Sequence, residues 1–344
     1  MPRAMGSDPT YPTDRRGRDQ FVLERRRARP EHDPWRHQGV LVEDEPAVGG
    51  GRVRVATVFL TGRECPWRCV MCDLWRFTLE TDTPPGAISH QIRQAMQALR
   101  AGDDAAPPHL KLYNAGSFFD ARAVPPDEDA GIAVLVAPCR RIIVESHPAL
   151  VGDRTWRFHD AIRAHAAGDS TLEVAMGLET THPGALEQLH KGVTVDGFHA
   201  AAAALAGHGV ALRVFLLVHP PFVPREEQDD WLRQSVEAAL ASGASTVSLI
   251  PTRSGNGAVE ALAEAGQFTA PTLADVERSA ALSLRVAQAP ELAGRHLLVD
   301  VWDLERLSSC ASCFGARRER LRQLNLTQQA QAAVACPQCG GSAA

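Results

Sequence analysis

The sequence predicts an α/β protein built on a mainly parallel sheet. Short runs of β-branched and apolar residues alternate with helical patterns about six times between residues 52 and 304, and the connections are long enough for parallel crossovers. The strand runs are almost continuously hydrophobic, as in sheets that are covered on both faces. A parallel barrel, complete or incomplete, and an open doubly wound sheet both satisfy these observations.

Length and composition agree with a large globular domain. The chain has 344 residues, of which 44% are hydrophobic and 22% charged, which is enough for one domain with appendages. A net charge of −5 gives no sign of bulk nucleic-acid binding, although a local basic patch is compatible with it. The sequence contains no run of 18 apolar residues, so a membrane span is not expected. The N-terminus lacks the apolar core of a secretory signal. We therefore expect a cytoplasmic protein whose eight cysteines serve metal or redox chemistry.

Residues 1–51 form the first predicted region, a polar N-terminal arm. Its prolines, its charges and the glycine triplet at 49–51 predict a largely extended and flexible segment. The arginine run RRRARP at 25–30 is compatible with contact to phosphates, and a solvated charged surface is the simpler interpretation.

Residues 52–304 form the second predicted region, the α/β domain. Each strand is a β-branched or aliphatic run like RVRVATVFL, and each helix is an amphipathic segment like SHQIRQAMQALRAG, often with a glycine at its end. The strands are expected at 52–60, 109–116, 140–148, 171–180, 210–221, 245–252 and 295–304. The helices are expected at 89–102, 127–139, 153–168, 195–209, 225–243 and 272–288.

Polar residues recur where the predicted strands end. They are Asn114, Gly116, Ser117 and Asp120, then Glu145, Ser146 and His147, then Gly177, Glu179 and Thr180, then His219, and finally Thr252, Arg253 and Asn256. Because the carboxyl ends of parallel strands meet at one edge of a sheet, this recurrence predicts a shared site.

The loop after the first strand, TGRECPWRCVMCDLWR at 61–76, contains Cys65, Cys69 and Cys72. Three thiolates are too few for a closed four-ligand site and suit a metal centre with one open position. A 4Fe–4S cluster fits, because three of its irons take cysteine and the fourth stays free. Zinc with a distant histidine, either His90 or His147, is the alternative.

A C-x3-C-x2-C loop after the first strand of a βα-repeat domain resembles the radical S-adenosylmethionine (SAM) superfamily. Met71 stands where that superfamily often has an aromatic residue. The resemblance implies a partial (β/α)6 TIM-like barrel and a 4Fe–4S cluster whose open iron binds SAM through its amino and carboxylate groups. Reductive cleavage of SAM would give methionine and a 5′-deoxyadenosyl radical that abstracts hydrogen from the substrate. It also implies an electron donor such as flavodoxin or ferredoxin.

The same resemblance implies a SAM site. NAGS at 114–117 is similar to the superfamily's GGE-type turn, with Ser117 in place of the acidic residue. GLETTHPGALEQLHKG at 177–192 is similar to the element that holds the ribose, and the backbone at 249–251 would flank the adenine. A guanidinium on the fifth strand suits the SAM carboxylate. The candidate cofactor-binding residues are Asn114, Gly116, Ser117, Glu145, Glu179, Thr180 and Arg213.

A narrower resemblance covers residues 55–310. NAGSFFD, VESHP, GLETTHPGALEQLHKGVT, LRVFLLVHPPFVPREEQDD and SLIPTRSGNGAVEAL occur in this order, and together they resemble the elongator-type and methylthiotransferase-type radical SAM proteins. Within that group the chain is most similar to the radical SAM family of archaeosine biosynthesis, which cleaves a carbon–nitrogen bond of a lysine-modified 7-deazaguanine in tRNA. At 266–277, GQFTAPTLADVE replaces an aromatic, Pro-Pro-Trp-rich stretch, so a non-RNA small-molecule substrate is the alternative.

Residues 305–344 form the third predicted region, a metal-binding segment with four cysteines. Cys310, Cys313, Cys336 and Cys339 make two C-x2-C pairs, which indicate a zinc-ribbon-like structural site, with an auxiliary 4Fe–4S cluster as the alternative. An arginine-rich helix is expected at 316–328. The eighth cysteine, Cys139, is expected to be a buried apolar thiol.

Two other function classes fit the cysteines alone. One is a zinc-only nucleic-acid-binding protein that uses both cysteine groups, and the other is an iron–sulfur carrier without turnover. Repeated βα units with polar strand ends favour the radical SAM enzyme, because neither alternative requires them.

Overall fold

The computed structural model describes residues 11–47, 49–102, 107–165, 168 and 170–341. One sheet holds all the strands of this part of the chain: β1 (Gly39–Pro46), β2 (Arg52–Phe59), β3 (His109–Tyr113), β4 (Arg141–Glu145), β5 (Thr171–Glu179), β6 (Ala211–Val218), β7 (Thr246–Pro251) and β8 (His296–Val299). The helices of the same residues are α1 (Arg15–Glu24), α2 (Ala87–Gly102), α3 (Asp129–Val136), α4 (Asp153–His165), α5 (Pro183–Gln188), α6 (Val195–Gly207), α7 (Gln228–Ala241), α8 (Ala258–Glu264), α9 (Leu273–Ala287) and α10 (Ala311–Thr327).

The strands lie side by side in chain order, from β1 to β8. β1 pairs antiparallel with β2, and each later neighbour pairs parallel. An open doubly wound sheet reverses its strand order at a switch point, whereas a barrel keeps chain order. The predicted α/β barrel is therefore confirmed, and it is nearly closed by eight strands.

The main core lies between the outer face of the barrel and its helices. Val58, Leu112 and Val144 alternate along their strands with inward-facing residues and are completely buried against the helices. The inward-facing positions include charged residues such as Glu173 and Arg213, which are also buried. The barrel interior is therefore polar at this level, and its charges must be paired there.

Residues 11–47 differ from the expected flexible arm, of which residues 1–10 lie outside the described part of the chain. Tyr11 and Phe21 are buried in a second core with Val70 of the cysteine loop. The apolar face of α1 thus packs onto the carboxyl end of the barrel.

The antiparallel strand β1 is absent from the sequence-based expectation because its inward side chains are acidic. Glu45 is 7% exposed and accepts hydrogen bonds from both terminal nitrogens of Arg213, at 3.0 and 2.8 Å, and it also forms an ion pair with Lys111. Burial raises the pKa of Glu45, but Arg213 and Lys111 reverse that effect and hold it well below its usual range. A strand that buries paired charges does not show apolar alternation.

Helix α10 covers the open side of the barrel, packing on β1 and β8. The side-chain amide of Asn325 donates to the Val299 carbonyl and accepts from the Val299 amide, both at 2.8 Å. Gln328 makes the same pair of 2.8 Å bonds with Leu297. Two side-chain amides thus satisfy the edge of β8 as a neighbouring strand would.

Among the described residues, no helix has both the length and the apolar character needed to cross a membrane.

Candidate active site at the cysteine loop

The cysteine loop lies across the carboxyl end of the barrel and is held from three sides. Asn256, in the loop after β7, donates to the carbonyls of Val70 at 2.7 Å and Cys72 at 3.4 Å. The Val70 amide donates to the Leu189 carbonyl at 3.0 Å. Trp67 stacks on His147, with ring centroids 3.6 Å apart and planes 12° from parallel. The loop is thus held by residues of the segments that follow β4, α5 and β7.

The arginine run that begins after α1 also holds this loop. Arg26 donates to Glu64 at 2.8 Å, Arg29 pairs with the other carboxylate oxygen, and Arg68 lies 3.1 Å from Glu64. Burial raises the pKa of Glu64, but Arg26 and Arg29 outweigh it and hold the pKa below its usual value. The run therefore forms a buried clamp on the residue before Cys65, rather than the solvated surface expected from its composition.

The three thiols have the chemistry of metal ligands. Cys65, Cys69 and Cys72 form no disulfide and are partly exposed. Burial raises the pKa of Cys65 to about 12 and that of Cys72 to about 11, and it raises the pKa of Cys69 well above its usual value. Without a metal these thiols hold their protons at neutral pH, and a bound cation is what would release them.

The turn after β3 packs directly against the first cysteine. A side chain at Gly116 would place its Cβ 3.2 Å from the Cβ of Cys65. Ala115 has a positive φ of 55°, Asn114 is buried and donates to the Ser117 carbonyl at 3.2 Å, and its Oδ1 has no hydrogen-bond partner among the described residues. The expected NAGS residues therefore meet the triad, and one buried acceptor there is unused.

Glu145 reaches the same turn from the end of β4. It accepts from the Gly116 amide at 3.2 Å. Burial raises the pKa of Glu145 to about 7, although the backbone amides of Gly116, Asn114 and Ala115 oppose the shift. The expected turn has Ser117 in place of an acidic residue, and the Ser117 hydroxyl accepts from the His147 amide at 2.9 Å. Glu145 thus brings to this turn the carboxyl group that Ser117 lacks.

Glu179 at the end of β5 forms a buried ion pair with Lys191. Glu179 has a positive φ of 67°, a costly backbone conformation for this residue type. Burial lowers the pKa of Lys191, but Glu179 and then the Cys69 thiol outweigh it and raise the pKa. A Cβ at Gly177 would lie 2.1 Å from both Glu179 Oε1 and Lys191 Nζ, so the pair occupies the space that glycine leaves.

Thr180 lies beside that pair and is buried. Its hydroxyl accepts from the His182 amide at 3.1 Å, which fixes the turn into α5. Lys191 is not among the expected site residues, although it is one of only two lysines in the chain, and both are paired with glutamate. The scarcity of lysine was the available signal for this residue.

Arg213 lies away from the cysteine loop. It is the third residue of β6, five residues before the carboxyl end of that strand, which is about 16 Å along an extended chain. Its Nε donates to Glu173 at 2.6 Å, and its other two nitrogens donate to Glu45. This correction removes Arg213 from the expected contact with a SAM carboxylate, because its whole guanidinium fork is engaged in the barrel interior.

The geometry of the triad disfavours a zinc ion held with His147. The Nε2 of His147 bonds to the Lys191 carbonyl at 2.9 Å, and its Nδ1 accepts from the Ala149 amide at 3.1 Å. Both ring nitrogens of His147 are therefore engaged, and neither is available to a metal.

The four C-terminal cysteines lie close together. The ligand atoms of Cys310, Cys313, Cys336 and Cys339 all lie within 4.8 Å of one another. Two of the sulfur–sulfur distances are 3.9 and 3.6 Å, against about 3.8 Å for a tetrahedron with zinc–sulfur bonds of about 2.3 Å. The donor set fits zinc. Its form differs from a ribbon, because Cys313 lies in the first turn of α10 and the second pair lies in a loop.

Comparison with known proteins places these features in context. No family model matches the chain. Archaeosine synthase subunit beta of Methanosarcina acetivorans is 26% identical over 319 residues, which are 89% of this chain and 89% of that protein.

The barrel is shared with the solved structure of Elp3. Elp3 of Methanocaldococcus infernus, with its N-terminus (1–46) deleted, has a TM-score of 0.51 and 12% identity and covers 79% of this chain and 63% of its own. Coproporphyrinogen III oxidase (HemN) of Escherichia coli, a radical SAM enzyme, has a TM-score of 0.42 and 12% identity and covers 74% of this chain and 52% of its own. The chain thus spans less than two thirds of either structure. The expected similarity to the archaeosine-biosynthesis protein is confirmed by the Methanosarcina relative, and the expected barrel is confirmed by the fold shared with Elp3.

Proposed function

We propose that this chain, a radical SAM enzyme similar in sequence to archaeosine synthase subunit beta, modifies a nucleoside of the 7-deazaguanine type in tRNA. The observation that carries the proposal is the open cysteine triad, set between the Gly116 turn and the Glu179–Lys191 pair at the carboxyl end of the barrel. The similarity extends over nine-tenths of both chains, and it supports a related substrate.

The donor set at the loop fits a 4Fe–4S cluster with SAM. With both bound, the cofactors would supply an electron to SAM and a 5′-deoxyadenosyl radical to the substrate. Cys65, Cys69 and Cys72 would hold the cluster, and the buried ammonium of Lys191 would offset part of the negative charge that gathers on the thiolates.

The neighbouring residues would orient SAM. The turn at 114–117, with Glu145 beside it, offers acceptors for a methionyl amino group, and the unused Oδ1 of Asn114 is one of them. Glu179 and Thr180 are buried at the end of β5 and would bind the ribose hydroxyls. The backbone at 249–251 would flank the adenine. Arg213 has no part in this assignment.

We also infer a cytoplasmic enzyme that receives its electron from flavodoxin or ferredoxin, because the triad requires reduced thiols and an outside electron. A non-RNA small molecule is the second candidate substrate. It is favoured by GQFTAPTLADVE at 266–277, which departs from the expected aromatic stretch where specificity would be set.

The test is anaerobic purification followed by iron, sulfide and zinc analysis and a 5′-deoxyadenosine assay with reductant and SAM. We expect Cys69→Ala to lose triad iron and 5′-deoxyadenosine formation. Cys139→Ala is the matched control, because Cys139 is completely buried in the core and has no part in the proposed chemistry. Equal activity in Cys69→Ala would overturn the proposal, as would zinc without iron at the triad.

The substrate is tested in the same assay. Transfer RNA that carries a lysine-modified 7-deazaguanine should be consumed with 5′-deoxyadenosine release, and unmodified tRNA should not. Turnover of a small molecule with no change in either tRNA would favour the second candidate.

A further inference from the structure

A cationic groove lies at the carboxyl end of the barrel, outside the site described above. Its volume is about 410 Å³, and it is lined by Arg253, Ser254, Ala270, Pro271, Thr272, Arg306, Leu307, Ser308 and Ser309. Arg253 and Ser254 follow β7, and residues 306–309 follow β8. Loops after the last strands of such barrels frequently bind phosphate groups.

Two guanidinium groups and no carboxylate line the cationic groove. Arg306 is exposed and donates to the Ser254 carbonyl at 3.0 Å, and no carboxylate of the described residues lies within ion-pair distance of it. Its remaining N–H donors are therefore available to an anion, and a guanidinium fork suits two phosphate oxygens.

Arg253 adds a second, partly unused guanidinium. One nitrogen donates to Asp300 at 2.8 Å and to the Trp302 carbonyl at 2.6 Å. Its Nε is buried and has no hydrogen-bond partner among the described residues. A buried donor without a partner is costly, so this guanidinium is only partly satisfied by its contacts with Asp300 and Trp302.

An exposed aromatic residue, Trp302, lies four residues before Arg306 in the segment that follows β8. Trp302, whose carbonyl holds Arg253, is 51% exposed, and its ring lies 6.2 Å from that of Phe59, edge to face. An exposed indole offers a stacking surface for a nucleobase.

The cationic groove is also joined to the cysteine loop through a single chain segment. Asn256, three residues after Arg253, holds the carbonyls of Val70 and Cys72. A ligand bound to Arg253 would therefore be held by the same loop that positions the triad.

We propose that the cationic groove binds a phosphate ester of the substrate, with Arg306 and Arg253 as its ligands and Trp302 beside the adjoining base. This rests on the proposed function, because it identifies how the same enzyme would hold a nucleotide substrate. The phosphate belongs either to the RNA backbone or to a free nucleotide, and the volume is large enough for a nucleotide-sized group.

The test measures binding to the full-length, cluster-loaded but unreduced protein, with a tRNA transcript and, separately, guanosine 5′-monophosphate as probes. For an RNA phosphodiester, Arg306→Gln should weaken tRNA binding about tenfold and make the slope of log K against log salt shallower by about one. Arg306→Lys should retain most of that slope. Arg163→Gln on α4, also exposed, removes the same charge outside the groove and should change neither quantity.

The arms of this experiment separate the two phosphate sources. Weaker binding of the mononucleotide in Arg306→Gln, with tRNA unaffected, would assign the groove to a free nucleotide. Equal effects of Arg306→Gln and Arg163→Gln, or none with either probe, would overturn the groove proposal. Wild-type protein that binds tRNA through Arg306 but forms no 5′-deoxyadenosine would instead contradict the proposed function alone.

Discussion

At the turn after β3, Ser117 stands where the resembling motif carries an acidic side chain, and a carboxyl group reaches that turn from Glu145 on the next strand. The substitution is therefore compensated in space. Because Glu145 and Ser117 lie far apart in the sequence, the compensation follows from the parallel pairing of β3 and β4.

The pH dependence of SAM binding tests this role of Glu145. Burial raises its pKa to about 7, so the group is mostly neutral at pH 6 and mostly ionised at pH 8. An ionised carboxylate accepts a stronger hydrogen bond from the SAM amino group than a neutral carboxyl does, and affinity should therefore rise about five- to tenfold as pH increases through 7. Titration calorimetry of the cluster-loaded protein with SAM would measure it.

The matched variant for that measurement is Glu145→Gln, which keeps the shape and one acceptor but has no titrating group. Its affinity should be lower at pH 8 and nearly independent of pH. A pH profile identical to that of the wild type would show that another group is responsible.

Candidate residues at strand ends were predictable because strand order alone brings them to one edge. The triad, Gly116, Glu145 and Glu179 all lie there. Their pairings were not predictable in the same way. Arg213 shares its strand with that edge but faces Glu45 and Glu173 in the interior, and residue type does not reveal depth along a strand.

The helices and strands also divide into those that the sequence predicts and those that it does not. Every strand with an apolar pattern was expected, whereas β1 was not, because its buried side chains are charged and satisfied by Lys111 and Arg213. Helix α1 was hidden in a polar arm, since a few apolar residues such as Phe21 and Val22 suffice to bury one face. Long-range partners, not local propensity, decide these two elements.

The contact between helix α10 and the open edge of β8 can be tested by mutation. Asn325 satisfies both the amide and the carbonyl of Val299 on the open edge of β8. Asn325→Ala leaves both backbone groups without those bonds and should reduce the free energy of unfolding by about 1–3 kcal/mol. Chemical denaturation monitored by circular dichroism would measure the change.

Gln323→Ala is the control on the same helix, because that amide bonds only an exposed glutamate, Glu319, at 2.7 Å. It should change the free energy of unfolding by less than about 0.5 kcal/mol. If both variants lose the same amount, the effect is one of helix propensity, and the edge interaction contributes little.

For the whole molecule, the two cysteine groups differ in position and in geometry. The triad lies in a loop that is held by residues following β4, α5 and β7. The quartet is closed, with sulfur spacings that match tetrahedral zinc, and it joins the start of α10 to the tail. Since α10 covers the gap between β1 and β8, a metal bound at the quartet would stabilise the closure of the barrel without contacting the cysteine loop.

Removing the quartet metal should therefore lower stability without removing the cluster. In Cys336→Ser, one zinc per chain should be lost and the melting temperature should fall by about 3–10 °C. Iron and sulfide should stay at the wild-type level, because the triad shares no ligand with the quartet. Metal analysis and calorimetry on anaerobic protein would measure both quantities.

Ser312→Ala provides the comparison for this experiment, since it removes only the 2.7 Å bond to Gln338 across the quartet and no metal ligand. It should retain its zinc and most of its melting temperature. Loss of iron instead of zinc from Cys336→Ser would identify the quartet as an auxiliary cluster. Loss of triad iron together with zinc would show that barrel closure controls the active site as well as the fold.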